Sequence, residues 1–181
     1  MPIQFDAENR VFKLDSASTS YLLQIGPFDY LLHLYYGAKI PDTDLGYLAY
    51  TCRHASVCPR VTMDEPYFSK DLHRMEYSCN GCGDFRGSAL SILRASGTAD
   101  TDIKYISHRI SRGKPRLPGQ PATYAAEDEA DTLELLCRDE VSGAEVTLFY
   151  TVFANHGAMT RHTVVRNASE QPMELQRVMS T

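Results

Sequence analysis

The chain has 181 residues, of which 43% are hydrophobic and 23% charged, and its formal net charge is −5. This composition is typical of a soluble globular domain, and the mixed charges without a basic stripe argue against a nucleic-acid partner. No apolar run is long enough to cross a bilayer, so no membrane partner is expected. Residues 1–10 lack the basic start and apolar core of a secretory signal, which favours a cytoplasmic location.

Short segments rich in β-branched, aromatic and leucine residues alternate with turn-forming residues along the chain. Helical signals are limited to one turn at 71–77. Many short strands joined by turns predict a single all-β domain with the architecture of an antiparallel sandwich. The predicted strands are 11–14, 18–25, 30–36, 88–94, 103–110, 132–138, 144–154, 158–166 and 174–179.

Two regions depart from the simple alternation of one apolar and one polar face. Residues 37–87 show no sustained period and hold three of the nine prolines and four of the five cysteines. Loops of that length are usually functional or form interfaces. Segment 144–154 carries bulky side chains on both faces, which predicts a central strand covered on both sides.

The cysteines leave two interpretations open. An odd number of cysteines without a framework spacing indicates free thiols. Cys79 and Cys82 form a C-x-x-C pair, and Cys52 and Cys58 lie upstream, so four thiolates could in principle hold zinc. The wider spacing of the upstream pair favours the alternative of small thiols packed in a loop. We therefore expect no metal and no cofactor.

The remaining candidate chemistry is sparse. The six histidines are scattered without H-E-x-x-H spacing, and His33 and His162 lie in strand segments, which favours strand residues over ligands. Acidic residues at 127–131 are expected to be solvated. No isolated carboxylate stands in an apolar strand, so no opposed pair for glycoside hydrolysis can be predicted. We predict no catalytic residue in this chain.

An ordered set of segments goes further than composition. The segments are HLYYG at 33–37, MEY at 75–77, GDFR at 83–86, SHRI at 107–110, PATY at 121–124, EADTLE at 129–134, EVTLFYTVF at 145–153, and TR and VRN at 160–161 and 165–167. Their order and spacing extend over nearly the whole chain, and the ordered set resembles the N-terminal region of glycoside hydrolase family 36 α-galactosidases.

The resemblance implies a fold and an activity. It implies an N-terminal β-supersandwich over residues 1–181, followed by a (β/α)8 barrel that carries the two catalytic aspartates beyond Thr181. The activity implied for the full-length protein is retaining hydrolysis of terminal α-linked galactose, as in melibiose or raffinose. This chain alone is then inactive, and its partners are its own barrel, an α-galactoside and further copies in a tetramer.

The resemblance also implies one substrate-binding loop. In family tetramers a loop of this domain reaches a neighbouring subunit's active site through an aspartate, and the matching stretch here is 52–59. Cys52 occupies the aspartate position, and a thiol cannot replace a carboxylate that accepts sugar hydroxyl bonds. Either the contact is lost or Arg53 or His54 supplies another one. Alternatively, the loop is only an oligomer contact.

A second class of function remains open, namely a free-standing carbohydrate-binding or structural β-sandwich. Such a module needs an aromatic platform on a sheet face or a loop. The chain has eleven tyrosines and no tryptophan, so this platform is not strongly indicated.

Overall fold

The computed structural model describes residues 2–41, 45–49, 68–120 and 124–180. These ranges contain ten β-strands and two one-turn 3₁₀ helices, and none of their helices is long and apolar enough to span a bilayer. The strands are β1 (Ile3–Asp6), β2 (Val11–Asp15), β3 (Thr19–Ile25), β4 (Leu31–Ala38), β5 (Leu90–Arg94), β6 (Lys104–Arg112), β7 (Ala130–Arg138), β8 (Ala144–Phe153), β9 (Ala158–Asn167) and β10 (Met173–Val178), and the 3₁₀ helices are Pro27–Asp29 and Gly46–Leu48.

The strands form three antiparallel sheets. The N-terminal sheet has the order β1-β2-β3-β4, the C-terminal sheet has the order β6-β7-β8-β9, and β5 pairs with β10. Within each four-stranded sheet, consecutive strands are neighbours, as expected where short turns connect antiparallel strands. The prediction of an all-β, antiparallel fold is confirmed.

The main core lies between the two four-stranded sheets. Alternate residues of β3 such as Leu23 and Ile25 enter it from one side, and Leu133 and Leu148 enter it from β7 and β8 on the other. Ile92 of β5 belongs to the same cluster. Each fully buried side chain of this size contributes about 1.5–3 kcal/mol to stability, so the alternation of apolar residues along the strands holds the sandwich together.

The prediction for strand β8 is confirmed in position and corrected in burial. β8 is central, between β7 and β9, and its core face is fully buried at Val146, Leu148, Tyr150 and Val152. On the other face Thr151 is buried, whereas Phe149 is only half-buried. On that face the Phe149 ring stacks on the ring of His162 from the adjacent strand β9, at a centroid distance of 4.3 Å.

Two further differences concern short elements. β1 was not predicted because four residues offer little periodicity, yet Ile3 is buried and the ring of Phe5 stacks on Phe12 at a centroid distance of 4.4 Å. The turn expected at 71–77 lies earlier, where the backbone N–H groups of Leu72 and His73 both donate to the carbonyl of Ser69. In the described parts of the irregular region, the chain forms turns and isolated bridges instead of strands.

Candidate functional site

A buried carboxylate, Glu76, is the centre of a polar cluster between the two large sheets. Its side chain is 1% exposed. It accepts hydrogen bonds from the Tyr21 hydroxyl at 2.6 Å, the Tyr150 hydroxyl at 2.7 Å and the Arg161 guanidinium at 2.8 Å. His33 Nδ1 lies 3.2 Å from the second carboxylate oxygen. These five residues are called the Glu76 cluster below.

The cluster joins elements that are far apart in the sequence. Glu76 comes from the irregular region, and its backbone N–H donates to the carbonyl of Leu31, which fixes the segment along the edge of β4. The partners come from both sheets, so the single carboxylate connects the two layers of the sandwich. They are Tyr21 from β3, His33 from β4, Tyr150 from β8 and Arg161 from β9.

The charges in the cluster compensate each other. Burial raises the pKa of Glu76, but the hydrogen bond from His33, the charge of Arg161 and the tyrosine hydroxyls outweigh it, and the net pKa is lowered. Burial, together with the negative charge of Glu76, raises the pKa of Tyr21 and of Tyr150. Both tyrosines therefore stay protonated and donate to an ionised carboxylate.

The geometry of the cluster supports a structural role for Glu76 rather than a catalytic one. A glycosidase carboxylate must reach the substrate, and the two carboxyl groups of a retaining enzyme lie about 5–5.5 Å apart. Glu76 is closed off from solvent, its partners occupy both of its oxygens, and the cluster has no second carboxylate. Periodicity did not reveal Glu76 because it lies outside a strand; only the family-like segment Met75-Glu76-Tyr77 could have indicated it.

A second ion pair, between Arg86 and Asp84, connects two parts of the irregular region 37–87. Arg86 Nε donates to the Asp84 carboxylate at 2.9 Å, and the same guanidinium donates to the backbone carbonyls of His73 and Lys70. The Asp84 side chain is 3% exposed. These hydrogen bonds hold the family-like segment GDFR at 83–86 against the turn at 69–73. The Phe85 ring is exposed.

The C-x-x-C pair has different environments at its two ends. Cys79 is buried, and burial raises the pKa of its thiol to about 12. Cys82 is exposed overall and adopts a left-handed φ of 54°, and partial burial of its thiol group raises the pKa of that thiol. Both thiols are therefore protonated at neutral pH. Cys52 and Cys58 lie outside the described residues, so the expectation that the four thiols hold no metal stays a prediction. Among the described residues, no group of three or more histidine, cysteine or acidic side chains could hold a metal ion.

His33 and His162 both lie in strands, as predicted. His33 lies in β4, where its ring nitrogen contacts Glu76 and the Tyr21 hydroxyl. His162 lies in β9 and stacks on the ring of Phe149, with a centroid distance of 4.3 Å and an interplanar angle of 7°. Burial lowers the pKa of His162, which keeps its ring neutral.

The predicted substrate-binding residues Cys52, Arg53 and His54 lie outside the described residues. Their placement therefore stays a prediction. In the sequence, β4 and the 3₁₀ helix Gly46–Leu48 precede these residues, and the turn at 69–73 follows them.

The fold and the buried cluster define an antiparallel β-sandwich domain without an opposed pair of carboxylates in its described core. The sequence profile of the glycosyl hydrolase family 36 N-terminal domain matches residues 29–181. The chain belongs to this family.

Individual relatives agree with this assignment. The bifunctional α-galactosidase/sucrose kinase AgaSK of Mediterraneibacter gnavus is 37% identical over 167 residues, covering 92% of this chain and 18% of AgaSK. The family 36 α-galactosidase AgaB of Geobacillus stearothermophilus superposes with a TM-score of 0.91 at 34% identity, covering 99% of this chain and 24% of AgaB. A variant of α-galactosidase AgaA from the same organism, in complex with raffinose, gives a TM-score of 0.89 at 34% identity, covering 94% and 24%. The chain thus spans about a fifth to a quarter of the length of these relatives.

Proposed function

We propose that this chain is the non-catalytic N-terminal domain of a retaining α-galactosidase whose catalytic carboxylates lie in a (β/α)8 barrel beyond residue 181. The observation that carries the proposal is the family match over 29–181, combined with relatives about four to five times longer. The burial of Glu76 supports it, because the central carboxylate of the described core is closed to substrate.

The proposed substrate is an oligosaccharide with a terminal α-linked galactose, such as melibiose or raffinose. The related AgaA variant was crystallised in complex with raffinose, which supports this class of sugar. Cleavage by a retaining enzyme forms a covalent glycosyl-enzyme intermediate on one carboxylate, while a second carboxyl group first protonates the leaving oxygen and then activates water.

The proposed contribution of this domain is to present the segment 52–59 to a neighbouring subunit in a cytoplasmic tetramer. A rigid β-scaffold with a long irregular loop is suited to this, because side chains on loops held by a scaffold commonly form binding sites. Cys52 cannot supply the carboxylate contact of the family, so Arg53 and His54 are the proposed contacts to the sugar or to the partner subunit.

The experiment compares the 181-residue chain with the protein encoded by the complete reading frame on a chromogenic α-galactoside. The full-length protein is expected to release product, and the 181-residue chain is expected to release none above buffer, because catalysis needs both barrel carboxylates. Turnover by the 181-residue chain in proportion to its concentration would contradict the proposal, as would a reading frame that stops at residue 181.

A further inference from the structure

We draw no further inference here: the strongest candidate, the groove between β9, the end of β10 and residues 114–120, carries nothing, because nothing in the described part of the structure shows what covers it.

Discussion

Glu76→Gln is the sharpest test of what holds the two sheets together. The substitution preserves the shape of the side chain but removes its charge and turns one oxygen into an N–H donor. Tyr21 and Tyr150 both donate to that carboxylate, so one hydroxyl then faces another donor. Arg161, whose side chain is 13% exposed, loses its counter-charge.

The magnitude follows from the burial of the pair. Removing one partner of a buried, hydrogen-bonded ion pair costs about 3–5 kcal/mol, because the other charge stays buried without compensation. For a chain of this size each 1 kcal/mol lowers Tm by roughly 2–4 °C, so Glu76→Gln is expected to lower Tm by about 6–20 °C. Circular dichroism during heating and in a urea series measures both quantities.

The control is Glu145→Gln on β8, whose carboxylate lies 3.2 Å from the Arg166 guanidinium; the Arg166 side chain is 74% exposed and the Glu145 side chain 18% exposed. Exposed pairs contribute about 0–1 kcal/mol, so the Tm and the free energy of unfolding of this variant are expected to be close to the wild-type values. The reasoning is refuted if the free energy of unfolding of Glu76→Gln lies within about 1 kcal/mol of the wild-type value, which is the upper limit for an exposed pair. It is also refuted if the Tm of Glu76→Gln is no lower than that of Glu145→Gln. A compensating change, Arg161→Met in the Glu76→Gln background, is expected to restore part of the loss, since it removes the unpaired charge.

Two further predictions follow from the charges. Because folding lowers the pKa of Glu76, its ionisation contributes stability that is fully present above the unfolded pKa of about 4.5 and is lost as pH falls through the lower folded pKa. Between pH 6 and pH 3, the wild type is therefore expected to lose more free energy of unfolding than Glu76→Gln, as measured by urea titrations at each pH. Equal losses in the two proteins would contradict this prediction. In the full-length enzyme, Arg53→Ala is expected to lower kcat/KM on melibiose about ten- to a hundredfold or to disrupt the oligomer. Arg112→Ala, at the exposed end of β6, is the control and is expected to change neither. Steady-state kinetics measure the activity and light scattering measures the oligomer; if Arg53→Ala changes neither, the segment 52–59 is not part of the site.

The sequence predicted those elements whose side chains follow a simple period. The apolar alternation of β3 and β7 identified these two strands and their core faces, because burial on one side of a sheet imposes a period of two. Bulky side chains on both faces identified β8 as a central strand. β1 was not predicted, because a strand of four residues is too short to show a period of two.

The Glu76 cluster could not be predicted from local pattern. Its carboxylate lies in an irregular segment, and its four partners are distributed over four strands that only the tertiary fold brings together. Arg161 shows the limit clearly: its position on an edge strand predicts a solvated charge, whereas the structure turns it into the core.

The separation of the cluster residues along the chain has a consequence for folding kinetics. Tyr21 and Glu76 are 55 residues apart, Glu76 and Arg161 are 85 apart, and Tyr21 and Arg161 are 140 apart. Contacts between such distant residues require large loops to close first, so chains dominated by them fold slowly. We expect the hydrogen-bonded hairpins of each sheet to form first from local contacts, and the Glu76 carboxylate to join them when the layers meet. An interaction that forms after the rate-limiting step mainly slows unfolding, so we expect loss of this ion pair to speed unfolding more than it slows folding.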